Sequence, residues 1–268
     1  MTYFTFLLIF VLIPILGISL VLWFTRKTSG SDHFEFRLVL IGIAVHVFLA
    51  LTYTTPWDNY LVATGVWNYN PELVTGFVIG FVPIEEYTFF IVETILSGLV
   101  WWLLARHLQV QQNAPRDYNK KINIISSLLL ALCWLFFTYQ FLYGSEQWNY
   151  LGIIFFWALP PIIIQSLFGA DHLWHYRKLV FFAIVIPGTY LSLTDIIALR
   201  ATIWQISPTQ TLGENFFGIL PLEEVSFFFV TNILITFGMT LVVSKVGQQR
   251  LKEFRGFVAK VLGRKTKN

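Results

Sequence analysis

The sequence predicts an all-α membrane protein in which seven transmembrane helices form two parallel three-helix repeats joined by a linker helix. Three observations support this prediction: an apolar composition, seven apolar runs of spanning length, and a sequence block that occurs twice. Hydrophobic residues make up 56% of the 268 residues and charged residues 12%, against about 25% charged in an average soluble domain. A soluble fold of this size could not bury so much apolar surface, so the bilayer is the expected solvent.

The apolar runs define the expected helices in chain order. They fall at 3–24, 36–54, 76–104, 121–143, 149–168, 178–196 and 215–243. Each is close to or above the roughly 20 residues that a helix needs to cross the hydrocarbon core. The first run is expected to be a transmembrane helix and not a signal peptide, because it is long and no basic segment precedes it.

The basic residues predict the orientation of these helices. Seventeen of the 18 Lys and Arg residues fall on one side of the alternating spans, and Arg200 stands alone on the other. The seventeen are Arg26, Lys27, Arg37, Arg106, Arg116, Lys120, Lys121, Arg177, Lys178, Lys245, Arg250, Lys252, Arg255, Lys260, Arg264, Lys265 and Lys267. By the positive-inside rule the N-terminus is outside and the C-terminus cytoplasmic, with the basic tail on the inner leaflet of the plasma membrane.

An internal repeat organises the chain. A Pro-x-Glu-Glu-x-x-Phe-Phe motif occurs twice, and each copy follows an Asp and a Trp that are nine residues apart. These landmarks are Asp58, Trp67 and Pro83 in the first copy and Asp195, Trp204 and Pro221 in the second. Spans one to three therefore correspond to spans five to seven. Because span four lies between them, both repeats have the same orientation, related by a pseudo-twofold axis along the membrane normal.

This arrangement divides the chain into four expected parts. The first repeat covers residues 1–104, and the connector with the linker helix covers 105–148. The second repeat covers 149–243, and a basic tail covers 244–268. Repeats in membrane proteins commonly place the working site at their interface.

Four carboxyl groups are the candidate catalytic residues: Glu85, Glu86, Glu223 and Glu224. They lie nine or ten residues inside the predicted spans three and seven, which is roughly 13–15 Å deep at 1.5 Å per residue. A carboxylate at that depth costs about 2.5–3.5 kcal/mol, and no predicted span core holds a Lys or Arg to offset it. We therefore expect at least one of the four to be neutral at pH 7 and able to donate a proton.

The residues around the acids favour carbocation chemistry. Aromatic rings follow each Glu pair at i+4 and are expected on the same helix face, where they can stabilise a cation and exclude water. The candidate substrate-binding residues are Pro83, Phe89, Phe90, Pro221, Phe227 and Phe228. The two prolines are expected to kink their helices and to free a backbone carbonyl beside the acids. Glu93 lies seven residues after Glu86 on the same face, and its counterpart in the second repeat is Thr231.

The doubled motif in a seven-span chain resembles the fused form of the heterodimeric-type lycopene cyclases of archaea, Bacteroidetes, actinobacteria and fungi. The resemblance covers roughly residues 1–243. It implies β-ring formation on lycopene without net redox change: an acid protonates C2, the C5=C6 bond attacks the cation at C1, and a base removes a proton from C6. By this resemblance Glu85, Glu86, Glu223 and Glu224 are the acid and base candidates, and lycopene enters from the membrane lipid.

No flavin, metal or nucleic acid is expected. The chain has no Gly-x-Gly-x-x-Gly motif after a strand and no βαβ pattern. Its one cysteine, Cys133, and its scattered histidines lack metal-ligand spacing.

Several alternatives stay open at this stage. Asp58 and Asp195 lie at the outer ends of spans two and six, where they either relay protons or cap their helices. Glu93 is a further candidate for a proton relay. Buried acids also serve transporters, and a related cyclase could act on C50 carotenoids. A seven-helix retinal receptor would need a Lys in the core of the last span, which this chain lacks. The sequence does not indicate which Glu is the acid, whether there are one or two cavities, or the oligomeric state.

Overall fold

The structure is a computed structural model that describes residues 1–25, 35–108 and 118–261. Seven of its helices are long and apolar enough to cross a membrane. They are Tyr3–Thr25, Phe36–Ala63, Ile84–His107, Lys120–Tyr143, Glu146–His175, Arg177–Arg200 and Leu222–Val243. The predicted all-α membrane fold and its seven spans are confirmed. The basic residues Arg26, Lys27, Arg116, Arg264, Lys265 and Lys267 lie outside the described residues.

The helices follow one another with short connections. The first span comprises α1 (Tyr3–Leu7), a π-helical turn (Leu8–Leu12) and α2 (Ile13–Thr25). The next spans are α3 (Phe36–Ala63), α4 (Ile84–His107), α5 (Lys120–Tyr143), α6 (Asn149–His175, after a 3₁₀ turn at Glu146–Trp148), α7 (Arg177–Arg200) and α8 (Leu222–Val243). A last helix, α9 (Lys245–Val261), follows the seventh span.

In the described part of the chain, six short strands lie between the spans on the side where α3 and α7 end. They are β1 (Trp67–Tyr69), β2 (Val78–Ile79), β3 (Val82–Pro83), β4 (Trp204–Ile206), β5 (Asn215–Phe216) and β6 (Leu220–Pro221). β1 pairs antiparallel with β4, while β2–β3 and β5–β6 form hairpins that lead directly into α4 and α8.

The hairpins correct the predicted starts of spans three and seven. The apolar runs begin at 76 and 215, but α4 begins at Ile84 and α8 at Leu222. Gly80 and Gly218 adopt φ values of +68° and +69° in the two hairpin turns, a backbone conformation that helices of L-residues exclude. The apolar residues before α4 and α8 therefore form strands and turns.

The predicted proline kinks are wrong. Pro83 ends β3 and Pro221 ends β6, and each is the N-cap residue of the helix that follows, with extended backbone angles. A proline cannot donate a backbone hydrogen bond, and the start of a helix requires none. Both prolines thus define where the helix begins and do not bend it.

α4 and α8 lie at the centre of the fold. α8 packs against α3, α4, α6 and α7, and α4 also packs against α2, α3 and α7. α5 packs mainly against α6 and is the least buried of the spans. After the seventh span, the Arg250 guanidinium in α9 forms a salt bridge of 2.7 Å with Asp171.

Candidate active site

The four candidate acids lie in the first turns of α4 and α8. The depth inferred from the apolar runs is therefore corrected: the acids do not lie nine or ten residues inside their helices. They are nevertheless buried, with exposed fractions of 1% for Glu85, 5% for Glu86, 0% for Glu223 and 4% for Glu224. The partial positive charge of a helix N-terminus stabilises carboxylates at this position, a contribution that the sequence-based estimate did not include.

The first Glu of each pair bonds to the backbone of the preceding loop. Glu85 Oε1 accepts a hydrogen bond of 2.6 Å from the Thr75 N–H. Glu223 Oε1 accepts one of 2.8 Å from the Leu212 N–H. These two side chains tie the loop before each hairpin to the helix after it.

The second Glu of each pair bonds to tyrosine hydroxyls. Glu86 Oε2 accepts hydrogen bonds from the hydroxyls of Tyr3, at 2.6 Å, and Tyr69, at 2.9 Å. Glu224 Oε1 accepts one from the Tyr150 hydroxyl at 2.6 Å. Across the described ranges, no Lys or Arg forms a salt bridge with any of the four acids.

Glu86 and Glu224 line one and the same cavity, of about 30 Å³. Its other lining residues are Tyr3, Trp67, Tyr69, Phe89, Asp195, Trp204, Phe227 and Phe228. Phe89 and Phe228 come from different motifs, and their ring centroids are 6.3 Å apart. The volume suffices for one or two water molecules, so a larger ligand must displace some of the rings. The structure thus brings the two motifs together around a single chamber.

A second, larger cavity of about 220 Å³ lies between α3, α4, α6 and α8. Its lining is mostly apolar and includes Phe90 and Glu93. Phe227 lines both cavities. Glu93 Oε1 accepts a 3.0 Å hydrogen bond from the hydroxyl of Thr231, its counterpart in the sequence comparison.

The two candidate relay aspartates are both buried but differ in their contacts. Asp195 lines the smaller cavity, and its Oδ1 accepts a 2.9 Å hydrogen bond from the Trp204 indole N–H. Asp58 has an exposed fraction of 0%, and neither carboxylate oxygen has a hydrogen-bond partner among the described residues. The two positions correspond in sequence but not in environment.

Tyr3, Tyr69 and Tyr150 are site residues that sequence reasoning missed. Tyr69 lies outside the spanning helices, in β1, where burial raises the pKa of its hydroxyl well above the ordinary value and the Glu86 and Asp58 charges raise it further. Tyr69 therefore keeps its proton and acts as a hydrogen-bond donor. One signal could have found two of the three: Tyr3 and Tyr150 both stand at the start of the first span of their repeat.

No family model and no solved structure matches the chain. Comparison of its sequence with known proteins does find relatives. A lycopene beta-cyclase of Halobacterium salinarum is 34% identical over 241 residues, which cover 90% of this chain and 95% of the relative. Bifunctional lycopene cyclase/phytoene synthases of Podospora anserina and Aspergillus oryzae are 33% and 31% identical, over 76% and 86% of this chain. The matched regions span 35% and 38% of those fungal proteins. With an archaeal relative matched over nearly its whole length, the chain belongs to the lycopene beta-cyclase family.

Proposed function

We propose that the protein is a carotenoid cyclase that forms β-rings on lycopene, giving γ- and β-carotene, by acid–base chemistry of its own carboxyl groups. One observation carries the proposal: Glu86 and Glu224 line a single buried cavity whose remaining walls are mostly aromatic. Ring closure needs a proton donor and a proton acceptor at one end group, and two carboxyl groups at one chamber supply both.

The reaction is balanced in protons and electrons. A carboxylic acid protonates C2 of the terminal C1=C2 bond and leaves a cation at C1. The C5=C6 bond attacks C1, which closes the six-membered ring and moves the cation to C5. A carboxylate then removes the proton from C6, and the C5=C6 double bond forms again. One proton enters, one leaves, and no oxidant is required.

The aromatic walls suit the cationic intermediate. Phe89, Phe227 and Phe228 line the cavity together with Trp67 and Trp204. A ring face stabilises a nearby cation by about 0.5–2 kcal/mol. The same rings leave room for little water, which would otherwise trap the cation as an alcohol.

The carboxyl groups divide into two functional pairs. Glu86 and Glu224 line the cavity and are proposed to transfer protons. Glu85 and Glu223 line neither of the two cavities described above and accept backbone hydrogen bonds from Thr75 and Leu212. We assign these two to positioning, because they hold the loops that build the outer end of the chamber.

The larger cavity is the proposed path for the polyene chain. Leu49 and Tyr53 of α3 line it and are 50% and 43% exposed on the surface that faces lipid. The substrate is insoluble in water, so lateral entry from the bilayer at this rim is the route that avoids solvent. Displacement of Phe227, which borders both cavities, would then admit the end group to Glu86 and Glu224.

The membrane arrangement belongs to the same proposal. The N-terminus is outside, the C-terminus is cytoplasmic, and residues 1–104 and 149–243 form parallel repeats in the plasma membrane. The pairing of β1 with β4 supports the repeat, because Asn68 pairs with Gln205, its own counterpart 137 residues later. A twofold axis through that pair would exchange the two strands.

Expression in bacteria that accumulate lycopene, followed by chromatography of the pigments, tests the function. The expected products are γ-carotene and β-carotene, and Glu86→Gln and Glu224→Gln variants should leave lycopene unchanged or misprocessed. Unchanged lycopene in cells with normal amounts of membrane-inserted wild-type protein would contradict the proposal. Cyclic products found only in cells that make C50 carotenoids would support the alternative substrate class.

A further inference from the structure

We infer that Glu224 is the acid that protonates C2, that Glu86 is the base that removes the C6 proton, and that Tyr69 is the positioning residue that makes the two differ. This inference rests on the proposed cyclase function and names the roles within its site. It comes from an asymmetry in the hydrogen bonds around two otherwise equivalent carboxyl groups.

The asymmetry is one phenol. Tyr3 and Tyr150 each donate a 2.6 Å hydrogen bond, to Glu86 and Glu224 respectively. Tyr69 donates a second hydrogen bond to the same Glu86 oxygen, at 2.9 Å. Tyr69 lies two residues after Trp67 in β1, and the residue two after Trp204 in β4 is an isoleucine, so Glu224 receives no second phenol from that strand.

Hydrogen-bond donors stabilise the ionised form of a carboxyl group. Glu86 Oε2 receives two O–H donors, so it carries a negative charge more readily than Glu224 does. The pKa of Tyr69 is raised well above its ordinary value by burial, and this phenol therefore stays a donor throughout the cycle. Glu86 is thus prepared to accept a proton and Glu224 to give one.

The other nearby acids do not account for this difference. Asp195 lines the cavity together with both Glu86 and Glu224. Asp58 lines neither of the two cavities described above. The adjacent acids Glu85 and Glu223 are present in both motifs and do not distinguish them.

The cavity also closes the catalytic cycle. After one ring has formed, Glu86 holds the C6 proton and Glu224 has lost its own. Both groups line the same chamber of about 30 Å³, which can hold one or two water molecules once the ring has left. Such a water can return the proton from Glu86 to Glu224, so no net proton is consumed.

The assignment can be tested by reacting the purified full-length protein with lycopene in D₂O. Mass spectrometry and NMR then show where deuterium and double bonds lie in the products. Glu224→Gln should return lycopene without deuterium, because no cation forms. Glu86→Gln should still deuterate C2, but the cation should lose a proton from C4 or the C5 methyl group, which gives ε- or γ-rings in place of β-rings. Tyr69→Phe should turn over at least tenfold more slowly and raise the share of misplaced double bonds at least threefold.

Tyr150→Phe is the matched control, because it removes a phenol from the acid and should slow turnover without changing the ring type. Deuterated, misplaced rings from Glu224→Gln and unlabelled lycopene from Glu86→Gln would reverse the roles and overturn the inference while leaving the cyclase function intact. Unlabelled lycopene from both Gln variants would also overturn it. Normal β-rings from both variants would overturn the assignment of Glu86 and Glu224 to proton transfer, whereas unchanged lycopene with the wild-type protein would overturn the proposed function itself.

Discussion

The hydroxyl of Tyr3 lies 2.6 Å from Oε2 of Glu86, although 83 residues separate them in the chain. Tyr150 and Glu224 repeat this contact at 2.6 Å across 74 residues. In each predicted repeat, a hydrogen bond thereby joins the first helix to the first turn of the third helix. The geometry of each buried acid depends on how distant helices pack, and this dependence can be tested residue by residue.

Tyr3→Phe removes one donor from Glu86 and should lower the cyclisation rate about tenfold, the equivalent of roughly 1.4 kcal/mol from a hydrogen bond to a charged group. Tyr190→Phe is the matched control, because the Tyr190 hydroxyl donates a hydrogen bond of 2.7 Å to the Phe10 carbonyl of the first span and lines neither cavity. Initial rates in lycopene-containing liposomes measure both. Equal loss in the two variants would assign Tyr3 a purely structural role.

The two members of a Glu pair should respond differently to the same substitution. Glu86→Gln should lose about 10²–10⁴-fold in β-carotene formation, the usual contribution of a general acid or base. Glu85→Gln should stay within about tenfold of wild type, because an amide oxygen can still accept the Thr75 N–H that the Glu85 carboxylate accepts in the structure. Pigment yield per unit of protein is the measurement. An inactive, well-folded Glu85→Gln enzyme would contradict the assignment of Glu85 to positioning.

The hairpin turns should differ in their tolerance of a methyl group. Gly80→Ala places a Cβ at a φ of +68° and against the side chain of Asn59, whose Oδ1 accepts a 2.8 Å hydrogen bond from the Phe81 N–H. Gly218→Ala meets the same backbone strain at +69° but open space. We expect Gly218→Ala to lower the free energy of unfolding by about 1–2 kcal/mol, and Gly80→Ala to lower it by more. Thermal unfolding in detergent would rank them, and equal midpoints would contradict the Asn59 contact.

Ala50→Phe fills the larger cavity and should lower cyclisation more than tenfold by blocking the polyene path. Ala50 lines that cavity. Val45→Phe, on the same helix, adds a similar ring at a residue that is 48% exposed toward lipid, and it should leave the rate unchanged. Rates at several lycopene concentrations check the effect. Full activity of Ala50→Phe would place the polyene elsewhere.

The pairing of β1 with β4 can be tested by cross-linking. Asn68 and Gln205 are directly opposite each other in the strand register, and opposite residues of antiparallel strands have Cα atoms about 4.5–5.5 Å apart, within the range that a disulfide bridges. After Cys133, the one native cysteine, is replaced by Ser, the Asn68→Cys, Gln205→Cys variant should form an intramolecular disulfide. The two single-cysteine variants serve as controls. Failure to cross-link under oxidising conditions would contradict the register.

The sequence by itself determined the number of spans and the four acids, because apolar length and motif spacing are local properties of the chain. It also contained signals for the hairpins, since Gly80 and Gly218 interrupt the apolar runs before α4 and α8. Run length alone extended the two helices by eight and seven residues and placed Pro83 and Pro221 inside them, because hydrophobicity does not distinguish an apolar hairpin from a helix.

The tertiary structure decided which hydrogen-bond partners each acid has. Glu85 and Glu86 are adjacent in sequence, yet one bonds to the Thr75 backbone and the other to Tyr3 and Tyr69. Only the packing of α4 against α8 shows that Glu86 and Glu224 share a cavity. Such contacts join residues that are distant in the chain, and their geometry follows from how all the helices fill space together, which no local pattern records.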